Sequence, residues 1–165
     1  MRQINSTGLN LVKLHEGFRA KAYLCPASKI TIGYGHVILA GESYLNSATL
    51  NTNEAEEILR SDLAIAERHV AKLIDVDLND NQFAALVSFA FNLGGGNLKS
   101  STLRRLLNAG DYKCVPEQLG RWVFASGKKL NGLIKRRKEE GELFEAFLGV
   151  CCCSCHESEK NNDFK

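Results

Sequence analysis

The stretch KLHEGFRAKAYLCPASKITIGYGH, residues 13–36, decides how the chain is read. Upstream of it, Leu9, Leu11, Val12, Leu14 and His15 sit at helical spacing. The helix they predict stops at Gly17, a residue suited to closing a helix. Two short strands follow, at 22–24 and 29–34, with Cys-Pro-Ala-Ser supplying turn chemistry between them. Glu16 then falls in the last helical turn, where the helix dipole presents partial negative charge. That position is expected to help keep the carboxyl protonated, as a general acid requires. Cys25 and Thr31 lie on opposite sides of the turn, so hairpin pairing brings them close. Taken singly, Glu16 also fits a surface acid, Cys25 a small buried apolar residue, and Thr31 plain strand propensity.

Working outward, residues 37–51 read as loop. From Thr52 to about Ile74, Leu59, Leu63, Ala66, Val70 and Leu73 recur at steps of four and three, predicting one long helix. Such a helix spans roughly 30 Å, about the diameter of a small domain. It can therefore link two lobes. NDNQFAALVSFAFNLGGGN, from Asn79, is apolar nearly all round and predicts a buried helix ended by the glycines at 94–96. A short helix runs from a serine cap to Gly110, and another starts at Asp111, where Pro116 must lie in its first turn or break it. Trp122 is placed in that helix, with core packing as its expected role. A last helix covers about 132–148. The class is α+β: a β lobe over about 17–51, a connecting helix over about 52–74 and a helical lobe over about 75–148.

With 165 residues, 44% apolar and 24% charged, one globular domain is expected. There is no run of 18 apolar residues, so no membrane-spanning helix and no stable membrane insertion are expected. The N-terminus lacks the apolar core of a signal peptide, which predicts synthesis in a cytoplasm. The net charge is +2, and the basic run KKLNGLIKRRK at 128–138 lacks interleaved aromatics. It argues against nucleic acid. The run suits a polyanion or a solvated helix face equally, and Arg136 and Arg137 could support Glu16 or stand in solvent. Four of the six cysteines crowd into CCCSCHESEK at 151–160. A disulfide framework would spread them, and adjacent cysteines do not readily close a tetrahedral metal site. Residues 149–165 are expected to form a mobile tail. A redox block of Cys25 by Cys151, Cys152, Cys153 or Cys155 is a further expectation.

The pattern of Glu16, eight residues, Cys25, five residues, Thr31 resembles that of the phage-type lysozymes, the muramidases of glycoside hydrolase family 24. Glu-Gly-x-x-x-x-x-Tyr and Thr-Ile-Gly-x-Gly-His fit as well, and so do NQFAALVSFAFNLGGGNLKSSTLRRLLNAGDY, RWVFASGKKLNGL and IKRR. The likeness covers about residues 8–147. It implies a two-lobed lysozyme-like fold and hydrolysis, with inversion, of the β-1,4 bond between N-acetylmuramic acid and N-acetylglucosamine. Glu16 is then the general acid, and Cys25 and Thr31 hold the attacking water. Cys25 stands where Asp is commoner in the family. A thiol of ordinary pKa, about 8.5, is only a few per cent ionised at pH 7. Either its surroundings lower that value, or Cys25 only orients water. The resemblance further implies glycan contacts by Phe91 or Asn92 and by Ser101 or Thr102, with core packing an equal reading of Phe91. His36 pairs structurally with Asp62. No cofactor or metal is implied. The expected partner is the peptidoglycan glycan strand, met as a monomer after a membrane-permeabilising protein gives access to the wall.

Overall fold

A computed structural model describes residues 2–25 and 28–146. The first helix, α1 (Ser6–Glu16), is capped by the Asn5 side chain, which accepts from the Gly8 N–H. It ends at Gly17, whose φ of +70° lets the chain turn away while its N–H still bonds Lys13 O at 3.1 Å. β1 (Arg19–Leu24), β2 (Ile30–Gly33) and β3 (His36–Val37) form an antiparallel sheet in that order. Tyr23 pairs with Thr31, and Leu24 with Ile30. The register slips between Arg19 and Tyr23, a bulge that bends β1. Beyond β3, the stretch expected as loop winds into a 3-10 helix over Ala40–Asn46.

The long helix α2 (Thr52–Leu73) starts at a reciprocal cap between Asn51 and Glu54. It buries Leu59, Leu63, Ala66 and Val70. α3 (Asp80–Leu93) is capped in the same way by Asn79 and Gln82, and every residue from Phe83 to Ala90 is buried. It is the central helix, packed by α1, α2 and the last helix. The glycines expected to end it do so at Gly94 only. Gly95 and Gly96 open a further short helix, α4 (Gly95–Ser100), anchored by buried Leu98. α5 (Thr102–Asn108) is capped by Ser101. A 3-10 turn over Tyr112–Cys114 leads into α6 (Val115–Gly120), with Pro116 in the first turn, where the missing N–H costs nothing.

One expectation fails in the next stretch. Trp122 lies just beyond α6 and is not helical; it packs edge-on against Phe89 with ring centroids 5.6 Å apart. A small hairpin, β4 (Phe124–Ala125) with β5 (Lys128–Lys129), was not signalled. Its turn is made by Ser126 and Gly127, both at positive φ. α7 (Asn131–Glu145) closes the lobe against α3 and α6. The expected helix end at 148 and the tail at 149–165, with its cysteines, lie outside the described residues.

α1 precedes the sheet in sequence but packs on α3 and α7. Its C-terminal end therefore belongs to the helical lobe and hands the chain to the sheet at Gly17. Among the described residues no helix is long and apolar enough to cross a membrane.

Candidate active site

Glu16 closes α1 and faces α7. Its Oε1 accepts a 2.6 Å hydrogen bond from Arg136 Nη1. Arg136 is itself buried and anchored from behind. Its Nε donates to Glu140 Oε1 at 3.2 Å, and its Nη2 reaches Ser88 O at 3.3 Å. Glu140, fully buried, also accepts from Ser88 Oγ at 2.7 Å and from Arg137 Nη2 at 2.8 Å. Arg137 continues to Asn92 Oδ1 at 3.1 Å and lies over the Phe89 ring, 5.1 Å from its centroid. Two of the six basic residues of the run are thus no part of a solvated face. Lys135 and Lys138 are exposed, while the two arginines between them are core residues.

Burial pulls the Arg137 guanidinium down to about 10, which leaves it charged at neutral pH. Burial likewise pushes the Glu140 carboxyl up, against the two guanidiniums and the Ser88 hydroxyl that favour its charge. The network keeps a cation on Glu16. The helix end is thus not the only feature beside this carboxyl: a buried guanidinium bonds it directly.

Glu16 lines a cavity of about 320 Å³ with His15, Asn92, Leu130, Gly132, Leu133 and Arg136. The sheet approaches the same carboxyl at the turn between β2 and β3. A Cβ on Gly35, at φ +89°, would lie 3.7 Å from Glu16 Oε2. Cys25 and Thr31 stand on the hairpin outside that lining. Cys25 N–H donates to Lys29 O at 2.9 Å, which continues the pairing of Tyr23 with Thr31. Strand alternation then puts Tyr23, Cys25, Lys29 and Thr31 on one face. Cys25 and Thr31 are diagonal neighbours, a relation that spans about 7–8 Å. Thr31 is buried, and its hydroxyl donates to Lys29 O at 3.1 Å.

His36 leaves β3 with both ring nitrogens engaged. Nδ1 lies 2.9 Å from Asp62 Oδ2, and Nε2 lies 3.0 Å from Glu42 Oε2. Burial opposes the charged ring, but the hydrogen bonds to Glu42 and Asp62 outweigh it, and His36 titrates above its ordinary value. Sequence reasoning placed Asp62 beside this histidine and missed Glu42, which sat in the stretch read as loop.

The four expected glycan contacts are spread over three places. Asn92 lines the Glu16 cavity. Phe91, the next residue along α3, instead lines a pocket with Asp62, Ile65, His69 and Gly95. Ser101 and Thr102 line a third, with Gln118, Arg121 and Trp122. The Ser101 hydroxyl is spent locally: it donates to Leu98 O at 2.7 Å and caps α5 through Arg104 N–H at 3.0 Å. His15 and Glu139, which meet at 2.6 Å beside Glu16, were missed as site residues. A signal existed for His15 alone: it is titratable and adjoins Glu16, which the family pattern marks.

The phage lysozyme family model matches residues 13–140. The endolysin of Bacillus phage B103 is 44% identical over 143 residues, 86% of this chain and 53% of that protein. The chain thus spans about half the length of this relative, and 55% of the Bacillus phage PZA endolysin. The endolysin of Salmonella phage P22 is 37% identical over 145 residues and matched over 99% of its length. Among solved structures, a mutant of P22 lysozyme superposes with a TM-score of 0.81 at 35% identity, over 88% of this chain and 100% of that one. The muramidase domain of SpmX from Asticaccaulis excentricus superposes with a TM-score of 0.79 at 33% identity, over 88% and 99%. The chain belongs to the phage lysozyme family.

Proposed function

We propose that this chain is an endolysin muramidase that hydrolyses the β-1,4 bond between N-acetylmuramic acid and N-acetylglucosamine in peptidoglycan. One observation carries the reading: the Glu16 carboxyl stands in an open cavity at the junction of the lobes, held at 2.6 Å by a buried arginine. A carboxyl fixed in that way can be aimed at a glycosidic oxygen at little further entropic cost. Glu16 protonates that oxygen, and the bond from it to the anomeric carbon breaks. Water attacks the opposite face of the sugar, so the anomeric configuration inverts. Cys25 and Thr31, diagonal neighbours on the hairpin face, orient that water, and the thiolate fraction of Cys25 takes its proton. Inverting sites keep their two groups about 6.5–9.5 Å apart to admit the water. Asn92 meets the glycan in the Glu16 cavity, with Phe91, Ser101 and Thr102 farther along the chain's path. His36 with Asp62 holds the sheet to α2.

The chain works as a monomer on the cell wall after synthesis in a cytoplasm, with a membrane-permeabilising protein providing access. Relatives from bacteriophages PS119 and P21, 37% identical, carry the name SAR-endolysin. The test is product analysis on purified peptidoglycan. Hydrolysis gives reducing muramic acid ends. A 1,6-anhydro end would mean a lytic transglycosylase, and binding without cleavage would mean a wall-binding module; either result overturns the reading.

A further inference from the structure

Two consecutive residues of α1 meet two residues of α7 one helical turn apart. Glu16 meets Arg136 at 2.6 Å, and His15 Nε2 meets Glu139 Oε2 at 2.6 Å. The signs alternate, acid on base and then base on acid. The two ends of the first rung are not held alike. Arg136 is fixed from behind by Glu140 and Ser88. Glu16 is the last residue of its helix, its side chain 24% exposed, and the chain leaves at a glycine immediately after it. Whatever variation the pair undergoes therefore arises at the end of α1. The second rung clamps that end. The His15 side chain is only 10% exposed and Glu139 25%, so their bond is largely out of water, where it is directional and strong.

We propose that His15 is a positioning residue for Glu16, acting through Glu139: their bond fixes the end of α1 on α7 and so keeps the Glu16 carboxyl on Arg136. This rests on the muramidase reading. The groups that face His15 are Glu139, Arg136 and Lys135 from α7 and Glu16 from its own helix, with Asn92 of α3 lining the same cavity. Burial lowers the ring's pKa; Arg136 and Lys135 add to that, and the Glu139 hydrogen bond resists it. At neutral pH the ring is neutral and donates its Nε2–H to the Glu139 carboxylate. Acid converts the rung to an ion pair and places a further positive charge beside Glu16, so the rung also enters the pH profile of catalysis.

The test measures kcat, KM and the pH profile on a soluble peptidoglycan fragment for wild type, His15→Ala, Glu139→Ala, Glu139→Gln, the double alanine variant and Glu16→Gln. Small misplacements of a reacting group cost about ten- to a hundredfold. His15→Ala and Glu139→Ala should each lower kcat about tenfold, with KM nearly unchanged. The double variant should be no worse than either single one, since both break one rung. Glu139→Gln keeps an acceptor for His15 and should recover most of the loss. His15→Ala should lose an inflection below about pH 6.5. Glu139→Ala reads the same rung without altering α1, should His15→Ala fold poorly. Full kcat in both single variants, with only a lower melting temperature, overturns the inference and leaves the reading intact. Losses that multiply in the double variant overturn it too. An active Glu16→Gln removes both the reading and the inference.

Discussion

Glu140→Leu is the perturbation that the buried network predicts most sharply. The substitution keeps an apolar volume in the fold but removes the only carboxylate, among the described residues, that Arg137 touches and one rear anchor of Arg136. Ser88 Oγ loses its acceptor as well. Arg136 keeps Glu16 and Ser88 O. Among the described residues, Arg137 keeps only Asn92 and the face of Phe89, and its Nε and Nη1 already have no hydrogen-bond partner. Removing one member of a buried ionic cluster costs about 3–5 kcal/mol, because it leaves a charge uncompensated. For a domain of this size that corresponds to a fall in melting temperature of roughly 6–20 °C, at about 2–4 °C per kcal/mol. Urea unfolding with a fluorescence readout of Trp122 measures it, and activity should fall with it as Arg136 loses its anchor. A loss below about 1 kcal/mol would refute the reasoning, since the mean cost of any point substitution is already of that order. Glu140→Gln supplies the control: it keeps an acceptor oxygen and drops the charge. If it matches wild type in stability, Glu140 is uncharged in the native protein and the cluster is not held by its ion pairs.

Three more outcomes follow from particular contacts. His36→Ala should cost about 1–3 kcal/mol, for hydrogen bonds to charged groups, while the folded fraction stays active; loss of chemistry without loss of stability would reverse its role. Because the folded pKa of His36 is raised, its contribution is full below the unfolded value of about 6.5 and fades as pH rises through the folded one. The gap between wild type and variant in thermal melts should therefore shrink from pH 5.5 to pH 9. Gly8→Ala should destabilise by about 1–2 kcal/mol, since overpacking outweighs the gain in helix propensity: its Cβ would fall 2.5 Å from Ala84 Cβ and 2.8 Å from Ile4 Cγ1. A stabilised variant in calorimetry would mean that α1 and α3 separate easily there. Alkylating Cys25 should abolish lysis of permeabilised cells, and Cys25→Asp should keep much of it; full activity after alkylation removes Cys25 from the mechanism.

Much of the frame was legible because local signals agreed. Asn79 with Gln82 caps its helix as the sequence pattern suggests, and Leu59, Leu63, Ala66 and Val70, at steps of four and three along α2, are buried. What was not legible depended on partners distant in sequence. The sequence leaves Arg136 and Arg137 between supporting Glu16 and standing in solvent, because nothing local says that Glu16, Ser88 and Glu140 converge on them. Nothing in the sequence singles out Glu140, yet it is fully buried. The 3-10 helix at Ala40–Asn46 carries no apolar period, and its Glu42 reaches His36 only once β3 is in place. Family resemblance supplied Cys25 and Thr31 as a pair; strand alternation supports one shared face for them, and a pattern of spacings could not have shown that Thr31 spends its hydroxyl proton on Lys29 O.

The most direct measurement of the central claim is release of reducing ends from purified peptidoglycan by wild type and by Glu16→Gln, each at matched folded concentration. Arg136 can still bond the amide oxygen of the variant, so the fold and the cavity should persist while the proton donor is gone. Loss of at least about a hundredfold in rate, the scale of general acid catalysis, with an unchanged melting profile is the predicted result. Release at the wild-type rate would contradict the assignment of Glu16 as the acid.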